Sequence, residues 1–200
     1  AVMIGPNSSV KNAAGLARAK VAVSARNTIS DTLVMSSLKA RGIDYRDVQW
    51  VEVPFPDMAT RLAKGDVDAA LMTEPFIARA KSQVGAVPLL DAVSGPTAGI
   101  AIAGYGATAE FVERNPKTVA AFQRAMRRAV VQAQDRAQAE PVLTEVARID
   151  AATASRVALY GFRQEPEDVQ LQRVSDLLVA FGVLTKRLDV SKMIATQAAP

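Results

Sequence analysis

A few side chains stand where binding or acid–base chemistry would need them. Thr28 and Ser30 open a helical pattern directly behind a short apolar run, and Asn27 and Ile29 flank that turn. A helix N-terminus offers free backbone N–H groups and a partial positive charge, so hydroxyls placed there suit an anionic group. The same residues also read as a plain cap. Thr28 with Asp31 three residues on is a variant of the capping box, and Asp31 partly neutralises that helix end. Glu74 closes another apolar run just before Pro75. Its carboxylate can receive an amine, amide or hydroxyl of a ligand, or simply accept neighbouring backbone N–H groups. Phe55 and Phe76 follow apolar runs and serve either the core or a ligand platform. Asp57 is most simply the N-cap of the helix it begins. Glu74 and Asp57 also form a possible acid pair, but the sequence does not set their separation.

The composition narrows the chemistry. The 200 residues include no Cys and no His. That removes thiol nucleophiles, imidazole bases, disulfides and the usual zinc ligand sets, so no metal site and no cofactor is expected. The serines lack a G-x-S-x-G elbow, and the first loop lacks both G-x-G-x-x-G and a P-loop lysine, which argues against a nucleotide. The formal charge of +4 is spread along the chain. No basic stripe of the kind nucleic acid requires is present. No run of 18 apolar residues exists to span a bilayer.

The elements that must position these residues follow from periodicity. Lys20–Ser24, Val48–Val53, Val67–Met72 and Ala86–Leu90 are short apolar runs that predict strands. Between them, Ile29–Ala40, Asp57–Lys64 and Pro75–Ser82 predict helices, stopped by Gly42 and Gly65 or begun by proline. This alternation predicts βαβ units and a parallel sheet, with ligands bound beyond the carboxyl ends of the strands. Residues 92–99 gather Gly, Pro and Ser and predict a hinge. Gly99–Ala103 predicts one more strand, paired either with the strand at residues 2–4 or with strands outside this chain. Beyond it the pattern is helical. Asn115-Pro116 predicts a capped start, Val119, Phe122, Met126, Ala129, Val130 and Ala133 form an apolar stripe, and Pro141–Arg148, Ala151–Tyr160, Pro166–Phe181 and Asp189–Ile194 follow. The chain opens on Ala1-Val2-Met3-Ile4-Gly5 as a strand already under way, so it is expected to be a piece of a longer protein.

In order, the motifs are a KVAV strand, a small polar loop entering a helix, Val53-Pro54, Asp57-Met58, Gly65-Asp66-Val67-Asp68-Ala69, Glu74-Pro75-Phe76, the run from Phe111 to Pro116, and the tail from Leu171 to Leu184. This order resembles the substrate-binding proteins of nitrate/sulfonate/taurine-type ABC transporters. The resemblance implies a type 2 periplasmic-binding-protein fold: one complete α/β lobe with a parallel or mixed sheet, and a mostly helical partial second lobe. On that reading residues 1–14 are a hinge strand and remnant of the first lobe. Residues 15–94 are the complete α/β lobe, and residues 95–200 return to the first lobe. The family carries about one hundred residues more at its N-terminus, the size of a small domain.

The resemblance further implies ligand contacts at Asn27, Thr28 and Ile29, at Glu74, and at Ser8 and Ser9 on the first crossover. Ser30, Phe55 and Phe76 complete the candidate set. It implies a non-enzymatic solute-binding component, a membrane permease as partner, and a periplasmic or membrane-anchored extracellular location. Relatives of this pattern include a thiamine-pyrimidine synthase that uses an active-site histidine, which this chain lacks. The remaining alternative is an enzyme or a ligand-sensing regulatory domain on the same scaffold, although no helix-turn-helix is evident.

Overall fold

The computed structural model describes residues 1–195. Five strands form one mixed sheet: β1 (Val2–Ile4), β2 (Lys20–Val23), β3 (Gln49–Glu52), β4 (Ala69–Leu71) and β5 (Val87–Leu90), in the order β3-β2-β4-β1-β5. Helix α1 (Ile29–Lys39) joins β2 to β3, α2 (Phe55–Lys64) joins β3 to β4, and α3 (Phe76–Val84) joins β4 to β5. The βαβ expectation holds for β2, β3 and β4. β2 is parallel to β3, with Val21 opposite Trp50, and parallel to β4, with Ala22 opposite Ala70.

The sheet is mixed, one of the two forms expected. β1 lies between β4 and β5 and is antiparallel to both, with Val2 opposite Leu71 and Leu90. Residues 2–4 thus pair inside the α/β sheet, and neither with Gly99–Ala103 nor with strands outside this chain, the two alternatives expected. Residues 99–103 form no strand, because no free ladder runs beside them.

Both faces of the sheet are covered, which explains why its strands read as continuous apolar runs. Alternate side chains point to opposite faces. Val2, Val21, Val23, Ala69 and Leu71 pack with Leu33, Val34 and Leu38 of α1. Met3, Ala22, Ala70 and Met72 pack with Met58 and Leu62 of α2 and Ala80 of α3. Helix α1 is buried from Ser30 to Leu38, so the sheet covers one side and later segments cover the other. Helix α2 starts at Phe55, two residues earlier than expected, because Pro54 and Pro56 already have helix-start geometry. Asp57 thus sits in the first turn, not at the cap. Gly65 ends this helix at φ 74°, a left-handed conformation that costs glycine little.

The remaining elements are α4 (Ala109–Arg114), α5 (Pro116–Gln134), α6 (Arg136–Ala147), α7 (Ala151–Ala154) and α8 (Asp168–Ala180). Several depart from the periodicity. Asn115 does not cap α5; its amide donates to the Phe111 carbonyl at 3.0 Å and closes α4 instead. Helix α6 begins before Pro141, where Asp135 caps it by accepting from the Ala137 N–H at 3.0 Å. The expected helix Ala151–Tyr160 shrinks to one turn, and residues 157–163 form no regular element. In the α5 stripe only Val130 is buried, while Phe122 is 46% exposed.

Several contacts tie the helices to the α/β lobe. Val174 and Leu177 of α8 pack on the α1 side of the core, and Phe181 meets Tyr45 edge-on at 5.3 Å. Arg173 reaches the carbonyls of Pro96 and Ala98 at 2.8 Å each and pins the bend at residues 94–98. On the other side Ala78 of α3 packs with Ile149, Ala154 and Val157.

Candidate functional site

The strand directions place the carboxyl ends of β2, β3, β4 and β5 along one edge, with the start of β1 beside them. Loops 24–31, 53–57 and 72–76 all open there.

The first loop is fully organised by Asp31. The Thr28 hydroxyl accepts from the Ser30 N–H at 3.1 Å, and Asp31 accepts from the Thr28 N–H at 2.9 Å, completing the capping box. The same carboxylate accepts from the Asn27 N–H at 2.8 Å, which holds Asn27 at a positive φ of 56°. The Asp31 side chain is wholly buried and pairs with Arg26 Nε at 3.1 Å. Arg26 also lies over the Trp50 ring, 5.4 Å from its centroid, and its backbone N–H donates to Glu52 at 2.6 Å. Ser24 and Ser30 share a hydrogen bond of 2.7 Å between their hydroxyls. This loop is therefore a rigid turn that presents one braced, partly exposed guanidinium. Sequence reasoning passed over Arg26; its position five residues before a capping acid was the available signal.

The third loop carries Glu74. One carboxylate oxygen accepts from the Ala78 N–H at 3.1 Å, closing the first turn of α3. The other accepts from the Ala158 N–H at 3.3 Å. Tyr160 donates its hydroxyl to the Glu74 carbonyl at 2.8 Å and also shares a hydrogen bond with the Thr73 hydroxyl. Glu74 is thus engaged by backbone N–H groups and joins α3 to the segment 157–160. Arg79 adds a second tie, donating to the Ala147 carbonyl at 3.2 Å. Asp150 caps α7 within this junction, and the Thr153 N–H and hydroxyl hold its carboxyl below the usual carboxylate range. Phe55 and Phe76, at the first positions of α2 and α3, stack 5.6 Å apart at 16°.

Of the nine sequence candidates, Asn27, Thr28, Ser30, Phe55, Glu74 and Phe76 come together at this edge. Ile29 opens α1 but packs partly buried against the core. Ser8 and Ser9 lie elsewhere. The Ser8 hydroxyl donates to the Asp68 carbonyl at 3.4 Å, next to where Asp68 also accepts the Lys20 N–H at 2.7 Å. Those residues begin β4 and β2, so Ser8 and Ser9 sit at the opposite edge of the sheet. Two open depressions, of about 350 and 400 Å³, are lined by Lys39 with residues 42–46 and by residues of α8 with Arg187 and Val190. Neither touches the carboxyl-edge loops. Among the described residues no cluster of acids has metal-ligand geometry.

A mixed α/β lobe with its loops gathered at one sheet edge, and helices docked beside it, is the fold of periplasmic binding proteins. Residues 6–149 match the NMT1-like family, and the chain belongs to that family. No curated protein matches it. Among solved structures it is similar to the periplasmic aliphatic sulphonate binding protein SsuA from Escherichia coli, at 19% identity and a TM-score of 0.69, covering 98% of this chain and 65% of that one. It is also similar to the alkanesulfonate-binding protein SsuA from Xanthomonas axonopodis pv. citri bound to MOPS, at 18% identity and a TM-score of 0.77, covering 97% and 68%. A third similar structure is the desulfurization enzyme DszB, at 18% identity and a TM-score of 0.62, covering 97% and 72%. The chain thus spans about two thirds of the length of the first two. These matches agree with the resemblance read from the motifs.

Proposed function

We propose that the protein is the solute-binding component of an ABC importer, holding a small anionic or polar organic solute at the carboxyl edge of the α/β lobe without transforming it. The observation that carries this reading is the convergence of three strand-end loops at one edge, the first and third locked by side-chain hydrogen bonds. Such preorganisation limits the entropy lost on capture. Thr28 and Ser30 supply hydroxyls, Arg26 a braced cation and Phe76 an apolar wall. Family membership and the SsuA-like fold support transport over catalysis. DszB has a similar fold and is an enzyme, so turnover has to be tested, not assumed absent. The partner on this reading is a membrane permease, and the location is extracytoplasmic. Among the described residues, no helix is long and apolar enough to cross a membrane.

In this proposal the carboxyl edge is one wall of a cleft. The second wall belongs to a lobe that includes residues 95–200. Ile102, Tyr105, Phe111 and Phe122 are 41%, 80%, 46% and 46% exposed, Tyr105 meets Phe122 edge-on at 5.4 Å, and residues 101–107 belong to no strand or helix. Exposed large apolar side chains of this kind are suited to a covering layer. Two crossing segments between lobes would allow closure about hinges.

The test uses the full-length protein. Native mass spectrometry should find a small solute carried through purification, and returning that solute to the stripped protein should raise its melting temperature with no product formed. Thr28→Ala and Glu74→Ala should each weaken the shift. Consumption of the solute, or unchanged affinity in both variants, would count against the reading.

A further inference from the structure

Aromatic residues are scarce in this chain: six Phe, three Tyr and one Trp. Two pairs of them stand at the carboxyl edge, one at the starts of α2 and α3 and one tied to the Thr73–Glu74 loop. Phe55 and Phe76 form the nearly parallel stack that opens α2 and α3. Tyr160 and Phe162 form an edge-to-face pair, 5.8 Å apart at 60°, and arrive from the far side of α7. Tyr160 is fastened by its hydroxyl to Thr73 and to the Glu74 carbonyl, and Ala158 is fastened to the Glu74 carboxylate. The loop that carries Phe76 therefore also sets where Tyr160 stands.

None of the four rings is fully buried; Tyr160 and Phe162 remain 38% and 39% exposed. Rings recruited for packing alone gain most when they leave water completely. The polar end of Tyr160 is already satisfied by the protein, so what it offers outward is ring surface. Flat ring surfaces pack best against other flat, polarisable groups in stacked or edge-on geometry.

We propose that this edge is an aromatic receptor, and that the solute carries a flat aromatic or unsaturated body packed against Tyr160 and the Phe55–Phe76 pair. The inference rests on the solute-binding reading and specifies its ligand class. Tyr160 is the specificity-determining residue, and Thr73 and Glu74 are positioning residues that act through it.

The experiment measures binding of matched probe pairs to the full-length protein by calorimetry: benzoate with acetate, benzenesulfonate with methanesulfonate, and benzylamine with methylamine. Each pair keeps its charged group and differs in the ring. At least one ring probe should bind about tenfold more tightly than its partner, the scale of one well-placed aromatic contact plus its buried area. Tyr160→Ala should abolish that preference, while Tyr160→Phe, which keeps the ring but loses its tether to Thr73 and Glu74, should retain only part of it. Phe76→Leu, which preserves apolar bulk, should also reduce it and stands in if Tyr160→Ala does not fold. Equal binding of ring and ringless probes, or a preference that survives Tyr160→Ala and Phe76→Leu in folded protein, would overturn the receptor and leave solute binding standing. Absence of binding by all six probes, in a protein that retains no solute on purification, would overturn both.

Discussion

At the scale of residues, Asp31 organises the candidate site. It is wholly buried, closes the capping box, fixes Asn27 in its left-handed turn and holds Arg26 against Trp50. Removing one partner of a buried, multiply bonded carboxylate leaves several donors unsatisfied. Asp31→Ala should therefore lower unfolding stability by about 3 kcal/mol in denaturant titration. Arg26→Gln should cost less than half of that, because Arg26 is partly solvated and the backbone donors to Asp31 remain. A destabilisation by Arg26→Gln as large as that by Asp31→Ala would show that the ion pair, not the turn, carries the stability. Thr28 and Asp31 were legible as a cap from their spacing. The role of Tyr160 was not, because it contacts a residue 86 positions away and no local pattern encodes that meeting.

At the scale of elements, the alternation of β2, α1, β3, α2, β4, α3 and β5 was legible because each buries a face with its own period. Helix α1 is the central case. It is buried along nearly its whole length, and Leu38 is fully enclosed by the core on the α1 side of the sheet. Leu38→Ala should cost about 3 kcal/mol, measured by thermal or chemical unfolding, through lost burial and the cavity left behind. Elements whose form depends on a distant partner were not legible. Gly99–Ala103 has a strand's composition, but a strand requires a neighbouring ladder, and none lies beside it. The run Ala151–Tyr160 has helical periodicity, yet its second half is drawn out of the helix and bonds through Ala158 and Tyr160 to Glu74. Tertiary contacts override weak propensity in both.

At the scale of the whole molecule, the α/β lobe is closely packed, whereas Ile102, Tyr105, Phe111 and Phe122 stand exposed. Tyr105 is 80% exposed in a segment without helix or strand, while Tyr45 and Trp50 are partly buried. Brief chymotrypsin treatment of the 200-residue chain should cut first after Tyr105, and mass spectrometry of the fragments would identify the cut. In a longer protein that supplies a covering lobe, the same bond should be protected. Early cleavage at Tyr45 or Trp50 would contradict the described packing.

The insertion of β1 between β4 and β5 bears on how the chain reaches its folded state. Its three residues are made before both of their ladder partners, which lie about sixty-five to ninety residues downstream. Contacts that far apart in sequence require closing long loops before any bonds reward the closure, which slows folding. Until then the facing edges of β4 and β5 stay open to pairing with other chains. The seam between β4 and β5 thus closes only after both strands have been made. A circular permutant that begins at Lys20 and appends residues 1–19 after a linker from residue 91 should refold faster in stopped-flow experiments and aggregate less at the same concentration.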